Sequence, residues 1–344
     1  MKDNGSQPIY VVHLMRADAP VFSIERVFRD VRSQLPSDVQ VRVWQCPYPS
    51  RGIIPRLRGA WAARSLDADV LHVTGDAHYL TAFLPRARSI LTIHDLEFIR
   101  RARGLKRFIL WFFWLRIPVS RVARITAISD DTRQDILEHV SLDPERVEVV
   151  VNPVSAEFTY SNNTPVENAP LRILQIGTKH NKNIDRLAQA LAGLSVQLFI
   201  VGRPTEVQEA ALKTAGIPFE WQVGLSDEEL VLAYRNCDVL AFCSTSEGFG
   251  LPIIEAQSIG RPVVTSNRAP MRDVAGGAAI LVDPEDPQDM RLGFAALIDT
   301  PARYAELVKQ GVENAKSYQP DQIAECYADI YRDIAKHHKG NSKG

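Results

Sequence analysis

Short runs of aliphatic and β-branched residues recur along the chain, separated by longer amphipathic stretches. The first series falls at Ile9–Leu14, Val39–Trp44, Val70–Val73, Ser89–Ile93, Arg124–Ile128 and Val147–Val150. A second follows at Leu171–Ile176, Val196–Val201, Phe219–Gln222, Val239–Phe242, Pro262–Thr265 and Ala279–Val282. Most are apolar without alternation, the pattern of strands covered on both faces. Helical periodicity lies between them, as over Ile184–Leu194, Asp227–Asn236 and Pro252–Ile259. Strand–helix alternation of this kind predicts α/β domains with open, mostly parallel sheets. The polar, proline-bearing, aperiodic stretch 152–170 reads as a linker between two such domains. A last helix is predicted over Asp321–His337, followed by a polar tail.

Size and composition agree with two globular domains. The chain has 344 residues, of which 45% are hydrophobic and 24% charged. The net charge of -1 gives the whole chain no reason to bind nucleic acid. Cys46, Cys237, Cys243 and Cys326 are scattered with no C-x-x-C pair, so neither a zinc site nor a disulfide framework is indicated. The segment MKDNGSQPIYVVHLM lacks the apolar core of a signal peptide. The longest apolar run, Phe108–Leu115, is far shorter than the roughly 20 residues that span a bilayer. A cytoplasmic location is expected.

Open α/β sheets bind ligands beyond the carboxyl ends of their strands. The most informative segment, STSEGFGLPIIEA over 244–256, stands at such a position, directly after DVLAFC. Gly248 and Gly250 let backbone N–H groups approach a ligand closely, and Pro252 suits the first position of a helix. That helix would aim its positive end at the glycine loop, where an anion or sugar hydroxyls can bind. Glu247 and Glu255 could then reach two parts of one extended ligand. An ordinary glycine turn with two solvated glutamates is the bland alternative.

EGFGLPIIEA is very similar to the donor-site signature of the retaining GT-B glycosyltransferases of family 4. The resemblance continues through 227–286, through QIGTKHNKNIDRLAQAL, and through ILTIHDLEF and RITAISDDTRQDIL. It implies two Rossmann-like doubly wound domains facing a cleft. These would be an acceptor-binding domain over 1–165, a nucleotide-sugar-binding domain over 166–320, and a helix and tail over 321–344 that pack back on the first. It also implies residue roles. Glu247 would support the donor sugar. Backbone amides of Gly248, Phe249, Gly250 and Leu251 would hold hydroxyls and phosphate oxygens. Glu255 would accept from the ribose, Lys182 would neutralise the diphosphate, and His94 would lie beside the transferred sugar. From the residues alone, a solvated Lys182 and a structural His94 remain open.

Two positions depart from the family pattern. Many members carry an arginine near Thr178, where Thr178 and Lys179 stand here, so either Lys179 substitutes or one phosphate contact is missing. The loop MRADAPVFS after the first strand holds no glycine, leaving Arg16 or Ser23 as its polar candidates.

Charge is unevenly distributed. Residues 51–124 hold 14 Lys plus Arg against 5 Asp plus Glu, an excess of +9, so the remainder carries -10 to reach the total of -1. Within that region RRARGLKRFILWFFWLR sets cations around Phe108, Trp111, Phe112, Phe113 and Trp114. Two turns apolar on every side are either buried or inserted into something else, and Trp with Arg suits an anionic lipid surface.

The function that the resemblance implies is metal-independent, retaining transfer of a hexose from a nucleotide diphosphate sugar to a hydroxyl of a saccharide or lipid-linked saccharide. No cofactor is expected. VTSNRAPMRDVAGGAAILVDP and TIHDL resemble the mannosyl-transferring members, which use GDP-mannose. For 100–124 two readings stand side by side, peripheral contact with an anionic membrane and a core helix of the first domain with arginines at its ends; binding of nucleic acid is not expected. The alternatives are a non-hydrolysing sugar-nucleotide epimerase and an inactive nucleotide-sugar-binding protein.

Overall fold

The structure, a computed structural model, describes residues 7–17, 24–162, 165 and 169–341. The loop residues 18–23 with Ser23, part of the expected linker, and the tail beyond 341 lie outside the described residues. The chain divides into two compact units: Met1–Pro153 with Pro320–Gly344, and Val154–Gln319.

Unit 1 is built on six parallel strands in the order β2-β1-β3-β4-β5-β6: β1 Ile9–Met15, β2 Val39–Gln45, β3 Val70–Val73, β4 Ser89–Ile93, β5 Arg124–Ala127 and β6 Val147–Val149. Unit 2 has six more in the order β12-β11-β10-β7-β8-β9: β7 Leu171–Ile176, β8 Val196–Val201, β9 Phe219–Gln222, β10 Val239–Phe242, β11 Val263–Ser266 and β12 Ile280–Val282. Both are doubly wound, Rossmann-like sheets, as the apolar runs predict. β3, β4, β10 and β11 are buried at every residue, including His72, Ser89, Thr92, Thr265 and Ser266, whereas the mixed runs β2 and β9 form sheet edges. Edge position explains their exposed polar residues.

The linker expectation needs correction. Residues 154–162 are docked on unit 2, so the units part at Pro153 rather than at residue 165. Arg261, buried, causes this. Its guanidinium donates to the carbonyls of Ser161 at 2.7 Å, Arg235 at 2.8 Å and Cys237 at 2.9 Å. Ser258 Oγ adds a bond to the Phe158 carbonyl at 2.5 Å. A lone polar stretch carries no trace of such distant partners.

The Pro320–Asn341 helix belongs to unit 1 and completes its core. Tyr331 Oη lies 2.9 Å from His13 Nε2 and 2.8 Å from His72 Nδ1. His72 Nε2 is 2.7 Å from Thr92 Oγ1, which is 2.7 Å from Thr126 Oγ1. The direction of this buried chain follows from its end. Arg32 Nη1, 3.4 Å from His13 Nδ1, can only donate. His13 therefore donates from Nε2 to Tyr331, Tyr331 donates to His72 Nδ1, and His72 donates from Nε2 to Thr92. Both histidines are neutral in this arrangement. Burial drives the His13 pKa well below its ordinary 6.5 and that of His72 down to about 3.

Candidate functional site

In unit 2 the strand order reverses direction between β7 and β10. Such a switch point opens a crevice at the carboxyl ends of its two strands. The loop after β7 carries Gly177 to Asn183, and the loop after β10 carries Cys243 to Gly250. Backbone joins them, with Thr245 N donating to Asn181 O at 2.8 Å.

The loops meet in an ion pair. Lys182 Nζ lies 2.6 Å from Glu247 Oε1, with the two side chains only 14% and 16% exposed. Asn181 Nδ2 donates to the same oxygen at 3.2 Å and to the Ser246 carbonyl at 2.9 Å. Lys182 Nζ also sits 4.4 Å from the centre of the Phe242 ring. Gly177 makes room for the lysine stem: at φ +85°, a Cβ there would lie 3.0 Å from Lys182 Cε.

Asn183 pins the loop from below. It is buried in the left-handed conformation at φ 61°, a conformation Asn tolerates better than most residues. Its Nδ2 donates to Cys243 O at 3.1 Å and Pro284 O at 2.6 Å. Asn181 and Asn183 escaped the sequence analysis. Their signal was the string H-N-K-N at a helix start, where Asn is a frequent terminus residue.

The structure places the other expected residues as follows. Thr178 accepts through its carbonyl from Gln208 Nε2 at 3.0 Å, and Lys179 is exposed beside it. Gly248 is half-buried. Phe249 is buried, its ring 6.0 Å from that of Tyr318, so its side chain is part of the core. Gly250, at φ 117°, turns the chain into the Leu251–Ile259 helix. Leu251, not Pro252, is the first residue of that helix. Glu255 lies inside it, 3% exposed, and accepts from Tyr234 Oη at 2.6 Å. Tyr234 also went unnoticed in the sequence.

His94 follows β4 in unit 1. Its Nε2 lies 2.9 Å from the Thr74 carbonyl. A carbonyl only accepts, so Nε2 carries the hydrogen and Nδ1 of the neutral ring is the acceptor. Burial pulls the His94 pKa below 6.5, opposed by the Thr74 carbonyl, which favours the protonated ring. His94 therefore stays neutral at physiological pH. Among the described residues, no three of His, Cys, Asp and Glu cluster as metal ligands.

Residues 10–158 match the family model described as Glycosyltransferase Family 4, and residues 160–317 the model described as Glycosyl transferases group 1. The chain is 30% identical over 223 residues to an MMP alpha-(1->4)-mannosyltransferase of Mycolicibacterium hassiacum, covering 60% of this chain and 53% of that protein. It is 28% identical over 261 residues to the O-antigen chain mannosyltransferase B of Escherichia coli, covering 67% of this chain and 65% of that protein. The matches thus span between half and two thirds of these relatives' lengths. Anabaena HepE, solved with UDP and glucose, has a TM-score of 0.77 at 13% identity over 94% of this chain and 100% of that chain, a likeness of fold.

Proposed function

Since this chain belongs to the GT-B glycosyltransferases of family 4, we propose that it moves a hexose from a nucleoside diphosphate sugar to a hydroxyl of a saccharide or lipid-linked saccharide, with retention at the anomeric carbon. The observation that carries this reading is the Lys182–Glu247 pair, assembled from two loops at the switch point of unit 2. A diphosphate needs a cation there, and a sugar needs an oriented acceptor of hydrogen bonds. Two relatives named as mannosyltransferases support mannose, and with it GDP-mannose, over other hexoses.

In this mechanism the bond between the anomeric carbon and the leaving phosphate oxygen breaks. A bond to the acceptor oxygen forms on the same face, and the acceptor proton passes to the leaving phosphate. Lys182 stabilises the charge that builds on the diphosphate. Glu247 orients the sugar and does not attack it. Glu255 accepts from the ribose, and His94 is assigned to the transferred sugar. The donor loop carries a lysine and no D-x-D, so transfer proceeds without a divalent ion.

Incubation of GDP-mannose and UDP-glucose with saccharide and lipid-linked acceptors tests the reading, with product anomers read by NMR. A retained anomer, formed in EDTA and dependent on acceptor, is the expected result. Epimerised donor without acceptor would establish the epimerase alternative. Binding without turnover of any donor would point to a nucleotide-sugar-binding protein.

Among the described residues no helix is long and apolar enough to cross a membrane. We place the enzyme at the inner face of an anionic membrane, in peripheral contact through 100–124. Each cation near such a surface contributes about 1 kcal/mol. The structure corrects one half of the sequence alternative here: the 108–115 run is not fully buried, since Phe108, Ile109, Phe112 and Phe113 are exposed.

A further inference from the structure

The Ile53–Ala63 helix turns its small residues inward and its large ones out. Gly59, Ala60 and Ala63 are its buried positions. A Cβ on Gly59 would lie 2.6 Å from Cys46 Sγ, so the helix sits flush against the residue that follows β2. Outward point Ile53 at 77% exposure, Ile54 at 66%, Leu57 at 52% and Trp61 at 53%. At about 100° per residue these four fall within one stripe roughly 100° wide. An apolar stripe of that width ordinarily faces a core.

This stripe adjoins a second one. Along residues 104–116, Leu105, Phe108, Ile109, Phe112 and Phe113 are exposed. Arg56 links the two segments, with its guanidinium carbon 4.5 Å from the centre of the Trp114 ring. Phe83, itself exposed, packs edge-on to Trp61 at 5.6 Å.

Charge decides what can cover these stripes. Residues 51–64 contain four arginines, and residues 98–121 contain six arginines and one lysine, with no acidic residue in either segment. A second copy docked on the same face would set these cations against themselves. A bilayer with anionic headgroups answers both the cations and the apolar stripes, because side chains of this kind enter the headgroup boundary while the arginines stay at phosphate level.

We propose that the 53–63 helix is a lipid-contacting element, and that it docks together with 104–116 as one two-helix face on an anionic bilayer. This rests on the membrane contact of 100–124 proposed above and adds to it a helix from a different part of the chain.

Co-sedimentation with vesicles of phosphatidylcholine alone, or mixed with phosphatidylglycerol, at low and high salt is the test. Wild type binds the anionic vesicles, and salt weakens binding. The variant Ile53→Ser, Ile54→Ser, Leu57→Ser, Trp61→Ser loses roughly tenfold or more in partitioning, with Phe108, Phe112 and Phe113 intact. Since the four side chains are exposed, its melting temperature should hold; if it falls, Ile53→Ser with Ile54→Ser carries the test. A variant that partitions like wild type overturns the role of the 53–63 helix and leaves the 100–124 contact standing. Wild type that ignores anionic vesicles sinks both. Wild type that self-associates in ultracentrifugation through these four residues, without binding vesicles, also overturns the proposal.

Discussion

Replacing Lys182 by Ala should weaken nucleoside diphosphate binding about a hundredfold while leaving the bare nucleoside nearly unaffected. A charge-assisted hydrogen bond to phosphate contributes on the order of 2–3 kcal/mol. Its loss here is compounded, because Glu247 would then face the diphosphate with only the Asn181 amide to offset its charge. Glu247→Gln should do the opposite to binding. The lysine is engaged by the carboxylate at 2.6 Å, and a neutral amide releases it. Diphosphate affinity should hold or rise, while turnover falls about 10²–10³-fold for want of an oriented carboxylate. Calorimetric titration with nucleoside and nucleoside diphosphate, beside a transfer assay, separates the two effects. Equal loss of both ligands in Lys182→Ala would remove the lysine from the phosphate site.

Acidification should destabilise unit 1 between pH 6.5 and about pH 3. His13 and His72 are held neutral in the folded protein, with pKa values below the 6.5 of the unfolded chain. Below pH 6.5 the unfolded state therefore binds more protons, and stability falls as pH falls. At pH 5 the loss relative to pH 7 is about 2 kcal/mol for His72, and His13 acts in the same direction. For a domain of this size the His72 loss alone is a drop of roughly 5 °C in melting temperature. Trp44, Trp61, Trp111 and Trp114 lie in unit 1 and only Trp221 in unit 2, so tryptophan emission reports chiefly on unit 1. His72→Gln should be less stable at pH 7 yet lose less stability than wild type between pH 7 and pH 5. An unchanged slope in that variant would show that His72 does not stay neutral in the folded state.

The strands were legible because parallel strands covered on both faces leave short, mainly apolar and β-branched runs without regular alternation. Val70–Val73, Ser89–Ile93 and Leu171–Ile176 have the ends the pattern predicts. The segment 244–256 stood out because its glycines, its proline and Glu247 stand within a few residues of each other. What stayed hidden was pairing across distance. Lys182 and Glu247 are 65 positions apart. His13 and His72 read as isolated histidines because their common partner, Tyr331, lies 318 and 259 positions away. The outward stripe of the 53–63 helix was hidden for another reason. Its large apolar residues and arginines are interleaved, and the packing of Gly59 against Cys46 shows which side faces in.

Unit 2 is encoded between the two parts of unit 1. The order of synthesis is therefore not the order of completion. All twelve strands have left the ribosome before Tyr327 and Tyr331 exist, so the nascent first sheet waits with His13 and His72 lacking the hydroxyl that joins them. Unit 2, continuous from Val154 to Gln319, needs nothing that comes later. In a released chain truncated after Gln319, limited proteolysis should find the second sheet protected and the first still open.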